Sequence, residues 1–221
     1  MKEILVPIDF TEITQTALDY AVNLAVKVGN CNICLLHVVG EGFKQYQLTL
    51  TQMVNIAYKA KGQSQVRIQA LIREGSIFTD INDVAEEKEV GLIVMGTHGT
   101  MGLRNLFGER AKKVITTGHI PFIVVEQKHA KTIADEEVYR NILCPINLTM
   151  KSKEYIEGVL PIIKQFNSII HLVTYKEQDS YLAKKLDVEI ENVKEVLRQN
   201  DVLYMVKMTD TDFDTFIEKA A

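Results

Sequence analysis

A glycine-rich stretch, GTHGTMGLRNLFGER, occupies residues 96–110 between an apolar run and a segment of helical period. Its four glycines would allow a backbone to come close to a ligand, and amide groups at the start of a following helix attract a phosphate. A second polar group, Asp9, follows the apolar segment Ile4–Ile8 and could accept a hydrogen bond from a ribose or a base. These residue types are typical of a nucleotide site. Glycines that only permit a tight turn, and an aspartate that only begins a helix, explain the same pattern equally well.

Short runs rich in β-branched residues alternate with segments of helical period over residues 1–128. These runs are mostly apolar without strict alternation, as in parallel strands that are covered on both faces. The predicted strands are Glu3–Ile8, Asn32–Val39, Val66–Ile72, Gly91–Gly96 and Pro121–Glu126. Regular alternation of strand and helix predicts an α/β fold with a doubly wound parallel sheet of five strands. Ligands of such sheets bind beyond the carboxyl ends of the strands, where the winding reverses.

Each helical segment carries an apolar stripe that we expect to face the sheet. In the second helix this stripe is predicted to be Leu50, Val54 and Ala57, since residues three and four apart share one face of a helix. Two strand histidines, His37 and His171, are expected to be hydrogen-bonded within the core or at a sheet edge.

A partial internal repeat begins after residue 140. Residues 142–149, ILCPINLT, match residues 4–11, ILVPIDFT, at five of eight positions, with Asn147 in place of Asp9. We therefore predict three regions. They are a complete domain with the glycine loop at 1–128, a polar linker at 129–140, and an incomplete second copy at 141–221 that would lack the fourth and fifth strands.

Composition excludes several classes of function. The net charge is −4, and neither half has the basic excess that nucleic acid or an anionic membrane requires. No apolar run approaches the roughly 18 residues of a membrane-spanning helix, so we expect a cytoplasmic location. Three cysteines at irregular spacing fit a reducing compartment. We expect Cys31 and Cys34 to be buried strand residues, because no partner pair completes a zinc or redox site.

Three segments resemble the universal stress protein family: VPID at residues 6–9, MGTHG at 95–99 and PFIVVE at 121–126. The resemblance covers all five strands of residues 1–128, and the second copy looks like a partial domain of the same family. It implies a strand order 3-2-1-4-5, with the first and fourth strands adjacent at the reversal. It also implies a homodimer joined through the strand Pro121–Glu126.

The resemblance further implies which positions bind an adenine nucleotide. They are Pro7, Ile8, Asp9, Val38, Met95, Gly96, Gly99, Gly108, Glu109 and Arg110. The first four would surround the adenosine, and the others would contact the ribose and the phosphates. The implied ligand is ATP or another adenine nucleotide, with or without Mg²⁺, and we expect no structural metal.

The glycine loop departs from the ATP-binding motif of that family at two points. Eight residues separate Gly99 from Gly108, where the motif has nine, and Glu109 replaces a serine or threonine. A carboxylate repels a phosphate and is itself stabilised at a helix N-terminus by about 0.3–1 kcal/mol. We therefore expect weak binding of a triphosphate, or binding of a nucleotide with fewer phosphates.

Three functions are compatible with these observations. The first is a universal stress-like regulatory protein that binds a nucleotide without turning it over. The second is a scaffold or protein-interaction module in which nucleotide binding is lost, as the shortened loop and Glu109 would favour. The third is adenylate transfer or slow ATP hydrolysis. The third is disfavoured, because residues 9–12, DFTE, do not form the glycine- and serine-rich loop that such enzymes place after the first strand.

Overall fold

The computed structural model describes residues 2–77, 79–97, 120–126, 139–149 and 151–209. The chain divides into two compact units, Met1–Ala134 and Asp135–Ala221. No helix among the described residues has the length and apolar character needed to span a membrane.

A five-stranded parallel sheet forms the first unit. Its strands are β1 (Glu3–Pro7), β2 (Asn32–Val39), β3 (Ile68–Glu74), β4 (Leu92–Thr97) and β5 (Phe122–Glu126). They lie in the order β3-β2-β1-β4-β5, which confirms the predicted α/β sheet and its implied order. Observed strand ends differ from the predicted ones by no more than two residues. The largest difference is at β3, where pairing with β2 continues beyond the apolar run to Glu74.

Three helices of the first unit are described: α1 (Glu12–Val28), α2 (Tyr46–Lys61) and α3 (Asp80–Glu87). Between its neighbours β2 and β4, β1 is buried on both faces, and Ile4, Leu5 and Val6 are fully inaccessible to solvent. Successive side chains of a strand point to opposite faces. Leu5 accordingly joins the apolar cluster that includes Ile81 of α3. The carboxyl end of β1 is thus held in place from both sides of the sheet.

The predicted inward stripe of α2 is wrong at two of its three positions. Leu50 is 37% exposed and Val54 is 53% exposed, whereas Ala57 is buried as expected. The helix instead buries Thr49 and Met53 together with Ala57. The buried and exposed stripes lie one residue apart, about 100° around the helix. Both rows contain apolar side chains, so hydrophobic spacing alone does not decide which row faces the core. The longer Met53 side chain lies on the row that packs inward.

Three parallel strands form the sheet of the second unit, in the order β6 (Asn141–Pro145), β7 (Ile169–Tyr175) and β8 (Tyr204–Thr209). Two helices, α4 (Ser152–Gln165) and α5 (Ser180–Gln199), follow β6 and β7 respectively. The core of this unit is an aliphatic cluster that draws on both helices and on β7. This second unit is therefore also an α/β structure with parallel strands.

Candidate functional site

The strands β1, β2 and β4 end at one edge of the first sheet, and the order of strands reverses between β1 and β4. A pocket of about 220 Å³ opens at this edge. Its lining consists of Pro7, Ile8, Asp9, Thr14, Leu36, His37, Val38, Ile77, Ile81, Met95 and Gly96. The pocket therefore lies where ligands of doubly wound sheets bind.

Six of the predicted site residues meet in this pocket. They are Pro7, Ile8, Asp9, Val38, Met95 and Gly96. The remaining four, Gly99, Gly108, Glu109 and Arg110, lie outside the described residues. The structure thus brings together all the positions expected around an adenosine, which come from the ends of two different strands.

Asp9 forms the turn that carries the chain from β1 into α1. One carboxylate oxygen, Oδ1, accepts hydrogen bonds from the Thr11 amide at 3.0 Å, the Thr11 hydroxyl at 2.5 Å and the Thr14 hydroxyl at 3.1 Å. Such an aspartate turn replaces backbone bonds that the chain cannot make as it changes direction. The residue between, Phe10, has a φ of +68°. Asp9 therefore forms the turn that leads into α1, as one explanation expected, and it also lines the pocket.

His37 joins the end of β2 to the segment that follows β1. Its Nδ1 lies 2.7 Å from the carbonyl oxygen of Ile8. A carbonyl only accepts, so Nδ1 donates, and in the neutral ring Nε2 is left as an acceptor. The ring also contacts Phe10 edge to face, with 4.8 Å between centroids. The expectation of a hydrogen-bonded strand histidine is confirmed, but its position in the pocket lining was not predicted.

Gly96 allows β4 to approach the first turn of α1 closely. A Cβ atom at this position would lie 2.5 Å from the carbonyl oxygen of Ile13 and 2.8 Å from its carbonyl carbon. Backbone atoms cannot move aside as the end of a flexible side chain can. The glycine is therefore required by packing at the pocket floor, whatever ligand the pocket holds.

One wall of the pocket is apolar and continues into the protein core. Leu36, Ile81 and Met95 belong to a buried cluster, against which Val38 and Ile77 pack. Polar groups lie on the other side, where Asp9, Thr14 and His37 line the pocket. Pockets with an apolar wall and a few convergent polar groups are typical of sites that bind a small organic molecule.

An ion-paired cluster fixes the segment that leads into α3. Asp80 accepts hydrogen bonds from the Ser76 amide at 2.7 Å and the Thr79 hydroxyl at 3.2 Å, and from Arg73 Nε at 3.3 Å. Chiefly through the Ser76 amide, and also through Arg73 and Thr79, these donors hold the pKa of Asp80 below its usual range. The cluster fixes the backbone on either side of Ile77 and thereby the far wall of the pocket.

Several lining residues were missed by sequence reasoning, namely Thr14, Leu36, His37, Ile77 and Ile81. A register argument could have found Leu36, since β1 pairs with β2 so that Pro7 lies opposite Leu36. Ile81 lies on α3, and Ile77 lies in the segment just before it. Their role as a pocket wall depends on the position of α3 over the sheet.

Neither cysteine of the C-x-x-C sequence faces the pocket. Cys31 and Cys34 are buried, and burial raises the pKa of each thiol to about 11. Within the described part of the chain, no group of three or more His, Cys, Asp or Glu side chains is placed to hold a metal ion.

The fold and the pocket define an α/β protein with a pocket at the reversal of a doubly wound parallel sheet. Residues 1–126 match the universal stress protein family, and the chain belongs to that family. A universal stress protein of Methanocaldococcus jannaschii is 30% identical over 141 residues, which cover 57% of this chain and 82% of that protein. The universal stress protein A homolog 1 of Coxiella burnetii is 24% identical over 141 residues, or 58% of this chain and 97% of that protein.

The similarity of fold extends over nearly the whole chain in one solved structure. A universal stress protein from Archaeoglobus fulgidus superimposes with a TM-score of 0.75 and 15% identity. The superposition covers 98% of this chain and 81% of that one.

We predict that Gly96→Ala destabilises the protein, because the new methyl group would collide with the Ile13 backbone. Overpacking of this kind costs about 1–3 kcal/mol in the free energy of unfolding. Denaturation in urea would measure it. Gly40→Ala is the matched control, since a Cβ there meets nothing within 4 Å. Equal stability of the two variants would contradict the close approach of β4 to α1.

Proposed function

We propose that this protein is a regulatory member of its family that binds an adenine nucleotide in the pocket between β1 and β4, without turning it over. The observation that carries the proposal is that six residues implied by the family resemblance, from three separate segments of the chain, line one pocket at the reversal of the sheet. Membership of the universal stress protein family supports it.

The dimensions and chemistry of the pocket suit the nucleoside end of such a ligand. Its volume of about 220 Å³ is below the roughly 300–1,000 Å³ of complete small-molecule sites. The apolar wall of Leu36, Val38 and Met95 would cover the face of a purine. Asp9 would accept a hydrogen bond from a ribose hydroxyl or the base amine. The phosphates would extend beyond Gly96, and Gly99, Gly108, Glu109 and Arg110 are proposed to contact them.

We propose that the protein does not turn over its nucleotide, because of the groups that line the described pocket. Within it, Asp9 supplies the carboxylate and His37 the imidazole. Both are already used in structural hydrogen bonds, to Thr11 and Thr14 and to Ile8 respectively. A general base must reach the proton that it removes in the bound substrate. These two groups are better placed to position a ligand than to activate a nucleophile.

Calorimetric titration with ATP, ADP and AMP, each with and without Mg²⁺, tests the proposal. We expect saturable binding of at least one nucleotide. Asp9→Asn should weaken it about tenfold or more, because the variant loses a charge-assisted hydrogen bond but keeps an oxygen for the Thr11 turn. Asp19→Asn, an aspartate on α1 outside the pocket lining, is the control.

Two results would count against this function. At a ligand concentration a hundredfold above a micromolar dissociation constant, binding should raise the free energy of unfolding by about 2.7 kcal/mol. If no nucleotide gives heat or thermal stabilisation at that concentration, the interaction-module function is favoured instead. If Asp9→Asn and Asp19→Asn bind equally well, the ligand does not contact Asp9.

We further propose that Glu109 selects against a triphosphate. Replacing the carboxylate with a hydroxyl removes repulsion and adds a hydrogen-bond donor, so Glu109→Ser should raise the affinity for ATP more than the affinity for AMP. The ratio of the two dissociation constants, measured by the same titration, is the readout. Glu86→Ser removes the same charge from the exposed side of α3 and controls for net charge. An unchanged ratio in Glu109→Ser would refute the role of Glu109.

A homodimer joined through β5 is also proposed. The proposal is supported by the position of β5 at one end of the strand order, where further backbone groups can pair with another chain. We expect a dimer in sedimentation experiments and slow exchange of the outward-facing β5 amide hydrogens. A monomer with rapidly exchanging β5 amides would disprove this contact.

The second unit is proposed to be a partial copy of the same domain, with regions 1–128, 129–140 and 141–221 as predicted. The division between the compact units falls within 129–140, which supports the assignment of a linker. The turn after β6 is also built like the turn after β1. Asn147 Oδ1 accepts from the Thr149 amide at 3.0 Å and from its hydroxyl at 2.9 Å.

A further inference from the structure

The outer side of α2 carries a row of exposed apolar side chains that the nucleotide pocket does not use. Tyr46, Leu50, Val54 and Tyr58 are spaced four residues apart and are 39%, 37%, 53% and 80% exposed. Residues at this spacing form one continuous ridge on a helix surface. This row of four residues is called the α2 ridge below.

The chemistry of the α2 ridge differs from that of a solvated helix face. No charged residue occurs from Gln45 to Tyr58. By contrast, the exposed side of α5 carries ion pairs such as Glu191–Lys194 at 2.6 Å and Glu191–Arg198 at 3.1 Å. Depletion of charge and enrichment of tyrosine are characteristic of the centres of protein interfaces. The α2 ridge therefore has the composition of a contact surface.

We propose that the α2 ridge is a self-association surface on which α2 of a second copy packs in the antiparallel direction. The order of side chains is the same from both ends, with a tyrosine at each end and two aliphatic residues between them. A twofold axis at the centre would place Tyr46 beside Tyr58 of the second copy and Leu50 beside Val54. Such self-complementarity is what a symmetric dimer contact requires.

Helix-packing geometry permits this contact around the middle of the ridge. When rows of residues spaced by four interdigitate on both helices, the axes cross at about −50°, the commonest class of helix pair. The two rows then run side by side even though the axes diverge. Leu50 and Val54 therefore lie at the centre of the interface, and Tyr46 and Tyr58 at its edges.

Charges at the two ends of α2 favour the antiparallel direction. Lys59 and Lys61 lie in its last turn. Beside its first turn, Glu74 accepts hydrogen bonds from the Tyr46 hydroxyl at 3.2 Å and from the Gly42 amide. Two further exposed charges, Glu41 and Lys44, precede the first turn, so acidic groups outnumber basic ones at that end. Antiparallel packing brings Lys59 and Lys61 of one copy towards this end of the other, whereas parallel packing would bring the two pairs of lysines together.

The size of the ridge sets the expected strength of the contact. A stable protein interface usually buries about 800 Å² on each partner, which is more than four half-exposed side chains supply. The α2 contact should therefore be weak and depend on protein concentration. If β5 also joins two copies, the α2 contact would build larger assemblies from those dimers. The proposal does not depend on nucleotide binding.

Sedimentation velocity of the full chain over a wide concentration range tests the contact. Val54→Glu places a charge at the middle of the ridge, where it would be buried without a partner. We expect it to raise the concentration at which association is half complete by about tenfold or more. Val188→Glu, at an exposed valine on α5, is the matched control and should leave the curve unchanged.

Tyr58→Ser is the second variant, because a side chain as exposed as Tyr58 cannot contribute much to folding. It should weaken association in the same direction as Val54→Glu, while thermal unfolding stays as in the unmodified chain. The proposal is overturned if the unmodified chain shows no association that depends on concentration. It is also overturned if both ridge variants associate like the unmodified chain, which would assign any dimer to another surface such as β5. Equal weakening by Val188→Glu would overturn it as well.

Discussion

Burial of β1 on both faces is the constraint on which the rest of the first unit depends. Because Ile4, Leu5 and Val6 are sealed between two neighbouring strands and the layers above and below, the point at which the chain leaves the sheet cannot shift. Pro7, Ile8 and Asp9 emerge there in a fixed position. The hydrogen bond from His37 to Ile8 and the contact of Gly96 with Ile13 then add the ends of β2 and β4 to the same small region.

Much of this arrangement could be predicted from the sequence, and the exceptions have physical causes. Apolar runs located all five strands, since a strand covered on both faces needs nearly continuous apolar residues. The strand order came from the family resemblance and not from those runs. The α2 stripe was predicted wrongly because Leu50 and Val54 are as apolar as Met53, and only the packing of the folded chain decides which row turns inward. His37, Ile77 and Ile81 were missed in the pocket for a related reason. Their place in it depends on register and on helix position, which hydrophobic spacing does not encode.

Comparison of the two turns separates what the fold needs from what a ligand would need. Asp9 and Asn147 share two bonds, in which one side-chain oxygen accepts the amide and hydroxyl of the threonine two residues later. Asp9 also accepts a hydrogen bond from the Thr14 hydroxyl. A neutral amide is therefore sufficient to form this turn, and the negative charge of Asp9 is not required for it. The proposed nucleotide site would give the charge of Asp9 a use that this turn does not.

On α2, one row of residues packs against the core, and a second row includes apolar side chains that are largely exposed, above all Val54 and Tyr58. Thr49, Met53 and Ala57 already cover the sheet side of the helix. Uncharged polar residues at Val54 and Tyr58, which are 53% and 80% exposed, would cost the fold little and would improve solubility. Four apolar side chains at constant spacing, on a helix without charge over three turns, are instead what an interface between helices requires. The pocket and the α2 ridge thus share one feature: each contains a side-chain property that the local fold does not require, namely the charge of Asp9 and the exposed apolar surface of Val54 and Tyr58.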